Sequence, residues 1–227
     1  MHRTVRSVAS LAVGAALLAG CSIGSTPVPI RQSVDVSAFV PTAKNQDPSK
    51  KITGIVTAKF PSGQHVPGNV RVAYTHTPPM GGTHDQAWAA CNGVVYPKPV
   101  RSENLVHSME HGAVWIAYDP DKITGTDVTT LASLVEGKPY TVMSPYPGMP
   151  SPISLQSWGH QLALDSVADP RIDQFIAALR QNQYVYPEPG ASCAEVGQPY
   201  FVQDSPPAFV ATPAQSEING KTIVKEK

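Results

Sequence analysis

The sequence predicts an α+β fold: a single domain with a small mixed β-sheet and helices packed on one face. Three observations predict it. Residues 113–118 (AVWIAY) are a continuous apolar run of the kind a buried strand makes. Residues 169–181 place Ile172, Phe175, Ile176 and Leu179 at helical spacing behind Pro170, a first-turn residue. All seven patterns together fall in the order strand, helix, strand, helix, strand, strand, helix, which favours a sheet covered by helices. In chain order, residues 70–74 alternate as a strand, and Pro78-Pro79 and Gly81-Gly82 impose a turn-rich loop. Ser102 is placed to cap a short helix over 103–111, which Gly112 ends. The strand at 113–118 leads to an amphipathic helix over 126–136, with Val128, Leu131, Leu134 and Val135 on one face and Gly137 as its stop. Strands at 140–143 and 153–158 flank a Pro/Gly turn, and the strand–helix–strand portion calls for a right-handed parallel crossover.

The ends read differently from the middle. Arg3 and Arg6 precede an apolar stretch over 8–18, shorter than the roughly 20 residues a membrane span needs. A basic start with a short apolar core reads as an export signal. Leu18-Ala19-Gly20-Cys21 then resembles the lipobox of bacterial lipoproteins, and the resemblance implies that Cys21 becomes the lipidated first residue of the mature chain. The expected organisation is a signal peptide over 1–20, a tether over 21–48, a globular domain over 49–205 and a disordered tail over 206–227. The expected location is the outer, extracytoplasmic face of a membrane, held by lipid. The 17 basic and 17 acidic residues balance and no basic run occurs, which excludes nucleic acid as an expected partner. With Cys21 set aside, Cys91 and Cys193 remain. In an oxidising compartment they are expected to pair, closing a loop that chain entropy values at about 4–5 kcal/mol; the competing reading is a thiolate metal ligand.

Four of the seven histidines fall close together: His76, His84, His107 and His111. His76 and His84 bracket a loop stiffened by proline and turned by glycine. His107 and His111 lie four apart, so on a helix they share a face and can reach one ion. These four are the expected metal ligands. Met80 and Met109 are further candidates, because thioethers suit copper, and copper is favoured over zinc. Glu110 is placed to orient a ring or to act as a base on bound water. His65 and His160 read as ordinary residues, with His160 beside Trp158 able to line a pocket.

The segments His76 to His84, Cys91-Asn92-Gly93-Val94-Val95-Tyr96, His107-Ser108-Met109-Glu110-His111-Gly112 and Tyr186-Pro187-Glu188-Pro189 together resemble a family of exported or membrane-anchored bacterial proteins common in actinobacteria, a domain of unknown function. The resemblance covers roughly residues 50–195 and implies boundaries and a motif set but no activity. A second, local resemblance, to metallopeptidases with an inverted H-x-x-E-H motif, rests on residues 107–111. The expected function is therefore a lipid-anchored extracytoplasmic metal-binding protein that captures, buffers or transfers the ion, with another envelope protein as a candidate partner. A metal-dependent hydrolase using Glu110, and an accessory protein without metal, are the alternatives.

Overall fold

The apolar run at 113–118 becomes the strand around which the sheet is built. The computed structural model describes residues 33–227. Its strands and helices are β1 (Val56–Thr57), β2 (His65–Val66), β3 (Arg71–Ala73), β4 (His84–Asp85), β5 (Asn92–Val95), α1 (Ser102–Glu110), β6 (Val114–Tyr118), α2 (Thr126–Ala132), β7 (Thr141–Pro145), β8 (Ile153–Ser157), β9 (His160–Leu164), α3 (Arg171–Leu179) and β10 (Ile223–Lys225). Six strands form one mixed sheet in the order β1-β9-β8-β6-β7-β5. β6 lies parallel to β7 and antiparallel to β8, so β6–α2–β7 supplies the parallel crossover. Two short parallel ribbons, β3 with β10 and β2 with β4, stand outside it.

Because successive strand residues point to opposite faces, β6 feeds two apolar clusters. Trp115 and Ala117 join Leu105, Val106 and Met109 of α1. Val114, Ile116 and Tyr118 join Leu131 of α2 and Ile172, Phe175 and Leu179 of α3. The single α+β domain and its mixed sheet are as the sequence predicts. The helices α2 and α3 share a face, while α1 packs into the cluster on the other side.

Other expectations shift. Only Arg71–Ala73 of the 70–74 pattern is strand, and it pairs with β10 rather than with the main sheet. The sheet instead recruits β5 and β9, whose Gly93 and Gln161 interrupt the apolar pattern. Ser102 lies inside α1, and the N-cap is Arg101, with no side-chain cap bond. Pro170 is the N-cap of α3 rather than its first residue, and α2 closes at Ala132.

The expected boundaries at 48 and 206 are also overtaken. Phe39 packs against the α2–α3 cluster, and Gln46 accepts a hydrogen bond from Asn182 Nδ2 at 2.8 Å. The segment after 206, expected to be disordered, is held by polar pairing and by Phe209 and Val224, which pack against the α1 cluster. Ala208 bridges Val100, β10 runs beside β3, and Glu226 accepts the Thr75 N–H at 3.0 Å. Lys227 N donates to Thr83 Oγ1 at 3.1 Å, which brings the chain end beside β4. The signal peptide and Cys21 lie outside the described residues. Among the described residues, no helix is long and apolar enough to cross a membrane.

Deleting residues 207–227 should lower the thermal midpoint by about 4–8 °C, equivalent to about 2 kcal/mol for a chain of this size. Circular dichroism melts check this, and an unchanged midpoint would return the tail to the disordered state the sequence predicts.

Candidate metal centre

The helix α1 carries the site, and all nine of its residues are buried. A buried helix this polar needs partners for its side chains, and the surrounding backbone supplies them. Glu103 Oε1 accepts the Val72 N–H at 2.9 Å and pairs with Arg71 at 2.8 Å. Asn104 Nδ2 donates to the Ala87 carbonyl at 2.8 Å, and Ser108 Oγ to that of Ala89 at 2.7 Å. These bonds bind the segment after β4 along the helix. His107, Glu110 and His111, spaced i, i+3 and i+4, are left as one ridge. His111 is the C-cap, and Gly112 follows at φ +94, where a Cβ would lie 2.7 Å from the Tyr186 ring.

The β2–β4 ribbon meets this ridge. Its register sets His65 directly opposite His84, with ring centroids 4.7 Å apart. The donor atoms of His65, His84, His107 and Glu110 all lie within 4.8 Å of one another. Glu110 Oε2 is 2.8 Å from His84 Nε2 and 3.6 Å from His65 Nε2, while Glu110 Oε1 accepts the Gly63 N–H at 2.7 Å. A second group, His107, His111 and Glu188, satisfies the same limit and shares His107 with the first. His111 Nε2 is 3.3 Å from Glu188 Oε2. This buried His/Glu cluster is capable of coordinating a metal ion.

Three of the rings are oriented alike. The Nδ1 of His84 donates to the Gly82 carbonyl at 2.7 Å, that of His107 to Asp85 at 2.7 Å, and that of His111 to Ser192 at 2.6 Å. Carbonyls cannot donate, so each ring presents Nε2 inward as a lone pair, the arrangement that metal-ligating histidines adopt. Two acceptors then face each other at the His84–Glu110 contact. Both atoms are buried without a hydrogen-bond partner, so a shared proton or a metal ion has to sit between them.

Ionisation follows the burial. Burial, aided by His84 and His111, pushes His107 down to about 3, against the lift from the Asp85 carbonyl. Burial also lowers His111, outweighing the Ser192 carbonyl and Glu188. Burial pushes Glu110 up, yet the His84 hydrogen bond and charge and the Gly63 N–H together hold it below the usual carboxylate value.

Of the residues singled out from sequence, His84, His107, His111 and Glu110 come together, and Glu110 does so with an oxygen at donor distance rather than behind a ring. His76 belongs to neither group. It is half-buried, with Nδ1 3.1 Å from Thr75 Oγ1, because the loop folds Pro78 and Pro79 inward and delivers only His84 into the ribbon. Met109 packs in the α1 core cluster and Met80 is fully buried. His65, read as ordinary, and Glu188 are the residues that sequence reasoning passes over. His160 stands apart, with Nε2 3.4 Å from Asp47 Oδ2 beside a cleft that Trp158 also lines.

Cys91 and Cys193 form the expected disulfide. Cys193 follows Ser192, so the bond fixes the carbonyl that orients His111, and Cys91 N also donates to the Cys193 carbonyl at 2.9 Å. Trp88 covers this end, its ring centroid 4.7 Å from that of His111 and 5.5 Å from that of His107.

A family model described as a protein of unknown function (DUF3105) matches residues 65–195, a span that begins at His65 and holds both donor groups and the disulfide. The chain belongs to that family. No curated protein and no solved structure matches it.

Metal-free protein should lose stability as pH falls from 6.5 towards 3. Over that window the unfolded chain protonates His107 while the folded chain holds it neutral, a slope of up to about 1.4 kcal/mol per pH unit. Glu110 and His111, both lowered, act in the same direction. Urea unfolding between pH 7 and 4 checks this: His107→Gln should flatten the slope, and an equal slope in the variant would contradict it.

Proposed function

We propose that this member of the DUF3105 family is a lipid-anchored, extracytoplasmic protein that binds a divalent transition-metal ion through His65, His84, His107 and Glu110, and captures, buffers or transfers it at the cell surface. The observation that carries the reading is the buried contact of 2.8 Å between His84 Nε2 and Glu110 Oε2, both acceptors aimed at one point. Three imidazoles and a carboxylate suit copper(II) or zinc, and copper leads on the general order of divalent affinities. Met109 packs in the core cluster beneath the sheet, so the preference for copper rests here on the nitrogen donors rather than on thioethers. The disulfide supports an oxidising compartment. The export signal and the lipobox around Cys21 support the anchor, and the motifs around His84 and His107 support the likeness to exported actinobacterial proteins.

A binding role is favoured over hydrolysis by how Glu110 is used. Its Oε1 accepts the Gly63 N–H and its Oε2 lies among the ring nitrogens, so both oxygens are engaged in holding the site rather than standing open beside it.

Mass-spectrometric metal content after exposure of the folded chain to copper and zinc tests the reading. Near-stoichiometric metal is expected in the parent and in His76→Ala, with loss in folded His84→Ala and His107→Ala. An ion at a hundred times its Kd should raise stability by about 2.7 kcal/mol. Equal metal content in the parent and in His84→Ala would overturn the assignment.

A further inference from the structure

The two donor groups are not two independent sites, and the reason lies in one ring. His107 belongs to both, and its Nδ1–H is committed to the Asp85 carbonyl at 2.7 Å. Its one remaining lone pair, on Nε2, can serve one ion at a time. Filling both groups together would need His107 as an imidazolate bridge, which would break the bond to Asp85. We infer, on the basis of the metal reading above, that a single ion uses the groups in turn: it loads at His111 and Glu188 and passes across His107 Nε2 to rest among His65, His84 and Glu110.

The donors order the two stations. The inner one offers four groups, of which His84 and Glu110 have fully buried side chains, and these two hold the acceptor pair that a cation must fill. The outer one offers three. Each group reaches solvent through one side chain, His65 at 39% exposed in the inner and Glu188 at 41% in the outer, and of these two only Glu188 is a carboxylate. A carboxylate reaching solvent draws a cation in, and His111, buried just behind it, gives the ion its first nitrogen. The rings form an unbroken row, with centroids 4.6 Å apart between His111 and His107 and 4.8 Å between His107 and His84, so each step is short. Glu188 N donates to the Glu110 carbonyl at 3.2 Å, and the Cys91–Cys193 disulfide pins the neighbouring Ser192. The outer station is thereby held in register with the helix that carries the inner one.

The test is equilibrium dialysis and stopped-flow tryptophan fluorescence on the full metal-free chain, with cupric ion as the probe. One ion per chain is expected. Glu188→Gln and His111→Gln should each slow loading about tenfold, and release equally, because each removes the intermediate stop. Their equilibrium affinities should stay within about twofold of the parent. The double variant should be no slower than either single. His65→Ala should do the reverse, weakening affinity while loading keeps its rate. Two ions per chain would overturn the shared station. Parental loading in His111→Gln would also overturn it, reducing Glu188 to electrostatic attraction alone. Slowed loading in His65→Ala would move the entrance to the other end. No copper bound by the parent would instead overturn the metal reading on which this one rests.

Discussion

His84 Nε2 and Glu110 Oε2 approach to 2.8 Å inside the protein, each with a lone pair and neither with a neutral donor to satisfy it. Buried acceptors in that arrangement are costly unless a positive charge lies between them. Much of the surrounding structure serves to keep them there. The Gly82 carbonyl turns the His84 ring, Gly63 N–H holds the other carboxylate oxygen, and the β2–β4 register brings His65 alongside. If any of these relaxed, the rings could rotate and satisfy themselves locally, and the inward lone pairs would be lost.

The scaffold explains how so polar a helix can be buried. Its apolar residues Leu105, Val106 and Met109 pack with Trp115 beneath the sheet, which fixes its rotation. Its polar residues are met by backbone, not water: Asn104 and Ser108 bind the strip that follows β4, and Glu103 binds β3. β4 itself contributes the Asp85 carbonyl that orients His107, so packing of the helix and tuning of the site are one set of contacts. The disulfide extends the arrangement to the far end of the ridge through Ser192.

The legible parts were those written in local spacing. His107, Glu110 and His111 share a face because three and four residues bring the helix round once, and that needs no tertiary knowledge. The runs at 113–118, 153–158 and 169–181 declared themselves by periodicity, and the two cysteines by arithmetic. What stayed hidden depends on pairing between short, distant segments. His65 meets His84 across strands of two residues each, too short to leave a pattern, and nothing in Gln64-His65-Val66 marks it. Glu188 reaches His111 from a distant loop, held beside the helix by its N–H bond to the Glu110 carbonyl and by the nearby disulfide. His76 looked equivalent to His84 because a stiff loop between two histidines suggests convergence, yet the buried prolines separate them. The C-terminal segment carries few large apolar residues, and it is held by backbone pairing with β3 and by Phe209 and Val224 on the core, which composition does not reveal.

The central claim is that one metal ion lies between His84 Nε2 and Glu110 Oε2. A crystal structure of the copper-loaded chain, with anomalous data collected at the copper edge, tests it most directly. The account predicts one anomalous peak about 2.0–2.2 Å from His65 Nε2, His84 Nε2, His107 Nε2 and Glu110 Oε2. A peak elsewhere, with His84 and Glu110 still in direct contact as a protonated pair, would contradict it.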